Sequence, residues 1–250
     1  MSVRSVLETA GGLTILTGRG FVALVTPPWD FREWLRESEQ IGVRSLGVAL
    51  ITTVFTGMVL ALQTAYSLPS LGVKYYIGTV VSKSLTRELG PVLVALIVGG
   101  RIGAGMTAEL GTMKVTEQID AVRAMAADPV RKLVAPKLAA TLIMLPCLTI
   151  LGDLLGILGG LVVAVGELKL SAGLYLNDVL DALTFEDVLS GVGKSFVFGY
   201  FIAIVACYNG LNARGGADGV GRATTNTVVL ASILVLVSDF FLTKIFHMIS

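Results

Sequence analysis

Residues 45–73 run without a single Asp, Glu, Lys, Arg or His. A helix of about 20 apolar residues crosses the hydrocarbon core of a bilayer, so a chargeless stretch of this length dictates lipid as its solvent unless protein buries it on every side. Four further runs behave alike. Residues 89–108 are broken only by Arg101, 138–166 only by Asp153, 195–213 by nothing, and 223–243 only by Asp239. Five such runs in one chain of 250 residues predict five membrane spans. Composition agrees: 54% of the residues are hydrophobic and 15% charged, where a soluble domain carries about 25% charged residues.

Topology follows from the cations, because Lys and Arg accumulate in cytoplasmic loops. With five spans, one side holds the N-terminal segment (Arg4, Arg19, Arg32, Arg36, Arg44), the loop between spans two and three (Lys114, Arg123, Arg131, Lys132, Lys137) and the loop between four and five (Arg214, Arg222). The other side holds half as many: Lys74, Lys83, Arg87, Lys169, Lys194 and Lys244. The expected orientation is N-terminus cytoplasmic and C-terminus outside. The first 44 residues show no small-residue cleavage site after an apolar core, so no signal peptide is expected. Residues 10–26 fit either an amphipathic helix lying in the interface, ended by Pro27-Pro28, or an imperfect sixth span or re-entrant segment.

Several chemistries are unsupported. A net charge of +1 gives no basis for binding nucleic acid, and one histidine with two widely separated cysteines supplies no metal-ligand set. Cys147 and Cys207 sit in apolar runs and read as small core residues. Gly191-Val192-Gly193-Lys194-Ser195 imitates the end of a phosphate-binding loop, but Val188 stands where that motif needs glycine, and no strand precedes it. Gly103, Gly105 and Ala108 imitate a dinucleotide fingerprint, again without a strand. The steps Gly99/Gly103 and Gly152/Gly156/Gly160 instead read as ridges for close helix packing in lipid, within one protomer or between two.

The sharper signals are the ionisable groups inside spans, Arg101 and Asp153, since each costs a few kcal/mol unless paired or wetted. Arg87 and Glu88 lie at the outer mouth of the second span, as an exposed ion pair or as the polar edge of a cavity. Between spans two and three, Val115, Ile119 and Val122 form one apolar stripe flanked by Glu117, Asp120 and Arg123. That pattern suits a short amphipathic helix, either resting on the membrane or offered to a soluble partner.

The same loop carries a resemblance. Arg87-Glu88-Leu89-Gly90-Pro91-Val92, Gly100-Arg101, Thr107-Ala108-Glu109-Leu110-Gly111, Met113 and Thr116-Glu117-Gln118 resemble the MlaE (YrbE) permeases of ABC lipid transporters, as does the run from Gly221-Arg222-Ala223-Thr224-Thr225-Asn226-Thr227 to Val229. The likeness covers about residues 10–246, as a single permease domain over 1–250. It implies an all-α integral membrane fold, with an N-terminal interfacial helix (1–41), five transmembrane helices and a cytoplasmic coupling helix at 112–128. It further implies a homodimer in the bacterial inner membrane, cytoplasmic ABC ATPase subunits that bind the ATP and Mg, a periplasmic MCE-domain protein, and phospholipid as cargo. No cofactor and no catalytic residue is expected in this chain. On that resemblance Met113, Glu117, Gln118 and Asp120 would dock the ATPase, and Leu60, Gln63, Leu68, Arg87 and Glu88 would line the lipid path. The rival reading is an ion-coupled secondary transporter using Asp153 or Arg101. Such carriers are usually built from internal repeats; none is evident here, and five spans do not divide evenly.

Overall fold

The computed structural model describes residues 3–27, 31–67 and 76–249. These residues form ten α-helices, with no strand among them. In lipid only a helix or a closed barrel satisfies its own backbone polar groups, so long apolar runs without alternation become helices. The order is α1 (Val3–Val25), α2 (Phe31–Ile41), α3 (Leu46–Ser67), α4 (Ile77–Ser84), α5 (Gly90–Val115), α6 (Gln118–Ala124), α7 (Ala135–Gly166), α8 (Ala172–Ala182), α9 (Phe185–Leu211) and α10 (Gly216–Ile249). Five stretches are long and apolar enough to cross a membrane: Phe31–Ser67, Ile77–Val115, Val130–Gly166, Phe185–Leu211 and Gly216–Met248. Each overlaps one of the five expected spans. Helix α1, by length and composition, is not among them.

The chain folds as two compact units. One comprises the described residues up to Arg44 with Gly99–Met144 and Val197–Val235; the other comprises Ser45–Val98, Leu145–Phe196 and the described residues from Leu236.

In the second unit, α3 and α7 meet backbone to backbone. A Cβ on Gly57 would collide with the carbonyl of Gly156, and one on Gly156 would come within 2.9 Å of the Thr53 carbonyl. Gly160 faces the Tyr175 hydroxyl and Val81. The ridge Gly152/Gly156/Gly160 is therefore a contact inside one chain, and dispersion across it replaces the hydrophobic effect that lipid cannot supply. Thr53 is tolerated there because its hydroxyl donates to the Ala49 carbonyl at 3.1 Å. Beside this seam α8 packs on α4, burying Ile77, Val81, Leu85, Tyr175 and Val179. Asp178 of α8 accepts from the Thr79 amide at 2.8 Å and the Thr79 hydroxyl at 2.5 Å. A carboxylate thereby satisfies an amide in the first turn of α4, where the helix dipole favours negative charge. Tyr175 donates to the Ile157 carbonyl at 3.0 Å, and burial, with the Asp178 charge beside it, pushes its hydroxyl pKa up.

In the first unit, α1 packs its buried Leu16 with Leu110, Val130, Val134 and Cys207, and Gly20 lies against Leu138. Two polar contacts pin its far end. Arg19 pairs with Asp128 at 3.0 Å, and Arg131 donates to the carbonyls of Thr26 and Pro27 just past the helix terminus. The helix stops at Val25 because prolines follow and Pro27 disfavours the helical conformation for its predecessor. Gly99 and Gly103 lie against Ile202, and Gly103 also against Thr227, so this ridge too is used within the chain. Of the two cysteines only Cys207 is buried; Cys147 faces outward from α7 and is not a core residue.

Replacing Gly57 by valine is expected to cost about 1–3 kcal/mol, because the colliding group is the Gly156 backbone and not a flexible side-chain end. Gly18, where an added Cβ would meet nothing within 4 Å, is expected to accept alanine without loss. Thermal unfolding of both variants in detergent checks this, and equal melting would overturn the seam.

Candidate functional site

Pro91 sets up the first cluster, which lies wholly in the second unit. Proline has no N–H to give the carbonyl four residues earlier, and that carbonyl belongs to Arg87. The chain relaxes into a π-helical turn over Leu85–Leu89, with the Gly90 amide bonded to the Leu85 carbonyl. The Arg87 carbonyl accepts instead from the Lys194 ammonium at 3.0 Å. Lys194 is 0% exposed and also contacts Glu88 at 2.6 Å and Asp239 at 3.2 Å. It donates as well to the Thr243 hydroxyl at 2.7 Å, which in turn reaches Glu88 at 3.2 Å. A buried ammonium is tolerable only when its donors are matched and its charge paired, and here the partners come from α9's neighbours, the π-helical turn before α5 and helix α10.

Arg87 and Glu88 therefore do not pair with each other, as the simplest sequence reading would have it. Arg87 pairs with Asp187 at 3.3 Å and lies 3.5 Å from the His247 ring. Asp187 is already engaged in a capping box at the start of α9, accepting from the Thr184 amide and hydroxyl at 2.9 Å while its own amide donates to that hydroxyl at 3.3 Å. The Gly191-to-Ser195 segment is plain helix within α9. Gly191 is glycine because the Thr86 carbonyl sits where a Cβ would be, and a Cβ on Gly193 would come within 3.0 Å of the Phe246 ring. Sequence reasoning does not single out Lys194 as a functional residue. The signal for it is a lysine preceded by glycines inside a helical run, with an acid, Asp239, near the end of another span.

Leu60 and Gln63 come together on the outer face of α3. They line a groove of about 570 Å³ with Ile51, Thr52, Phe55, Thr56, Val59 and Leu89. The two threonines direct their hydroxyls to the Val48 and Thr52 carbonyls of their own helix, each at 2.8 Å, leaving the Gln63 amide as the polar feature of an apolar surface. Arg87 and Glu88 are not part of this lining, although Leu89 is; Leu68 lies outside the described residues. Asp153 is buried in α7, with Oδ1 lacking a hydrogen-bond partner among the described residues and lying against Gly90.

The second cluster belongs to the first unit. Lys137 of α7, 2% exposed, bridges Glu37 of α2 at 2.5 Å and Glu109 of α5 at 2.7 Å. Thr107, two residues before Glu109, shares a 2.8 Å bond with Thr227, to which Asn209 also donates at 2.9 Å. The two distant motif strings, around residues 107–111 and 221–229, thus meet through one buried hydroxyl pair. Arg101 lies in this unit, in a cleft with Arg44.

At 112–128 the chain is not one helix. Helix α5 continues to Val115, Glu117 adopts a left-handed conformation at φ 62°, and α6 begins at Gln118. A residue in that region ends one helix and redirects the chain into the next. Ile119 alone of the apolar stripe is fully buried, anchoring the turn. Asp120 pairs with Lys114 at 3.0 Å and Arg123 at 3.2 Å. Glu117 and Gln118 are exposed, and Met113 is half-buried.

Truncating Lys194 to methionine is expected to destabilise the fold by about 3 kcal/mol, since it leaves two acids and a carbonyl without their cation. Combining it with Glu88→Gln and Asp239→Asn should restore most of that loss. Melting temperatures of the single and triple variants decide it; an unaffected single variant would remove the cluster's structural role.

Comparison with known proteins places this geometry in context. A family profile described as "Permease MlaE" matches residues 34–245. A "Probable ABC transporter permease protein" of Rickettsia bellii is 43% identical over 239 residues, 96% of this chain and 92% of the relative. The "Intermembrane phospholipid transport system permease protein MlaE" of Haemophilus influenzae is 38% identical over 229 residues, 90% and 88% of the two chains. The chloroplastic "Protein TRIGALACTOSYLDIACYLGLYCEROL 1" of Arabidopsis thaliana is 34% identical over 232 residues, 93% of this chain and 66% of the relative.

Proposed function

Since the chain belongs to the MlaE family of ABC transporter permeases, we propose that it moves phospholipid between the inner membrane and periplasmic MCE-domain proteins. It works as a homodimer driven by cytoplasmic ATPase subunits, which bind the ATP and Mg. Its N-terminus is cytoplasmic and its C-terminus periplasmic, and α1 with its exposed Ile15, Phe21, Val22 and Val25 lies along the membrane. The name of the Haemophilus relative, an intermembrane phospholipid transport permease, supports the choice of cargo.

The observation that carries this reading is the groove on α3. It is open and apolar, with one amide, Gln63, among residues whose other polar groups are already satisfied. Acyl chains fit such a surface without leaving any polar group unpaired, and a second copy facing it would close the groove into a cavity. Leu60 and Gln63 line that path, while Arg87 and Glu88, held by Asp187 and Lys194, form a charged border next to Leu89. ATP binding in the partner subunits pushes on the segment 112–128. Exposed Glu117, Gln118 and Asp120, with Met113 behind them, meet the ATPase, while buried Ile119 transmits the displacement to the body of the chain. Two conformations with unequal lipid affinity are all the cycle requires.

Reconstitution of the chain with its ATPase tests the proposal. Glu117→Lys is expected to lower ATP-dependent lipid transfer about tenfold, the value of one charge-assisted contact, without lowering the melting temperature. A photo-crosslinker at Gln63 is expected to capture phospholipid. Transfer untouched by Glu117→Lys, together with an empty Gln63 crosslink, would bring the ion-coupled carrier reading forward.

A further inference from the structure

Between α2 and α5, in the first unit, lies a cleft of about 280 Å³ lined by Glu37, Gln40 and Arg44 on one side and Arg101, Gly105 and Glu109 on the other. We propose that this cleft binds the headgroup of a zwitterionic phospholipid, with Arg44 and Arg101 holding the phosphate diester and Glu109 the primary ammonium. The inference rests on the lipid setting of the proposed function but not on its ATP-driven cycle.

Charge decides the class of ligand. Glu37, which is almost fully enclosed, is taken up by the buried Lys137. Glu109 shares the same ammonium but keeps 49% of its side chain exposed, so its carboxylate is still available to a cation. Arg44 and Arg101 both line the cleft, and a guanidinium offers planar donors whose geometry suits phosphate oxygens. A purely anionic ligand would leave the exposed side of the Glu109 carboxylate unmatched, and a purely cationic one would meet the two arginines. A zwitterion with phosphate and ammonium a few bonds apart satisfies both.

Size and depth decide where the ligand comes from. Sites that enclose whole small molecules start at about 300 Å³, so this cleft takes a headgroup and leaves the chains outside. Gly105 opens its wall, since a Cβ there would meet nothing within 4 Å. Arg44 stands two residues ahead of α3, whose 22 residues match the roughly 20 needed to cross the hydrocarbon core. Arg44 is therefore at headgroup level, and Arg101, which lines the same cleft, reaches that level too. An arginine inside a span thereby avoids the cost of a charge in hydrocarbon.

The test uses the full chain in detergent without nucleotide, titrated with short-chain phosphatidylethanolamine or with phosphatidylglycerol of identical chains, and read by native mass spectrometry. The chain is expected to bind phosphatidylethanolamine about tenfold more tightly, the equivalent of one charge-assisted hydrogen bond. Glu109→Gln should level the two lipids, and Arg44→Ala combined with Arg101→Ala should weaken both about tenfold. Gln40→Trp fills the cleft without touching the Lys137 ion pairs, so it should remove the preference while leaving the melting temperature unchanged. Equal affinity for the two lipids in the unaltered chain overturns the proposal, as does a preference that survives both Gln40→Trp and Glu109→Gln. Displacement of the lipid by millimolar inorganic phosphate would mark the cleft as a site for free phosphate and also overturn it. Because no ATPase is present, any of these failures leaves the transport reading standing, and loss of ATP-driven transfer would leave this one standing.

Discussion

A carbonyl without a partner is tolerable in water and costly in a bilayer. Pro91 creates one at Arg87, inside a stretch that must cross lipid, and the chain answers with Lys194. That answer has consequences. An ammonium brought into the interior needs counter-charge, which draws in Glu88 and Asp239, and Thr243 adds a hydroxyl acceptor. Gly191 is required on the same helix so that α9 can approach the Thr86 carbonyl closely enough for Lys194 to reach. One missing amide hydrogen thus organises the meeting of α9 and α10 with the turn that leads into α5, in the second unit.

The first unit is arranged around a second lysine with a different logic. Lys137 has no orphaned carbonyl to serve. It joins two acids on two other helices, so its removal would strand Glu37 in a buried position. Breaking a buried pair costs more than the pair contributes when intact, which makes such a cluster an effective specifier of one packing. The half-exposed Glu109 differs from Glu37 in being able to serve a ligand without leaving its lysine.

The segment at 112–128 shows how a pattern can be right in character and differ in form. Val115, Ile119 and Val122 have helical spacing, and a continuous amphipathic helix is the economical reading. Thr116 and Glu117 instead turn the chain, and Glu117 sits in the left-handed region with neither glycine nor asparagine to ease it. Holding a non-glycine residue there costs on the order of 1 kcal/mol, which surrounding structure, chiefly buried Ile119, must offset. No spacing rule registers a single residue changing hand.

The number of the spans was legible from residue order alone, because hydropathy is a local property and lipid tolerates little else over about 20 residues. The family likeness was equally legible, since it resides in strings such as Arg87 to Val92 and Thr107 to Gly111. Residue order left open whether the glycine ridges served one chain or two and whether Arg87 and Glu88 paired with each other or edged a cavity, and it assigned Lys194 no place in the function. Only the tertiary structure decided those points. Arg87 meets Asp187, Glu88 meets Lys194, and Lys137 meets Glu37, all far apart along the chain. A charge buried in lipid takes whichever partner the packing of helices delivers, and that packing is a property of the whole fold.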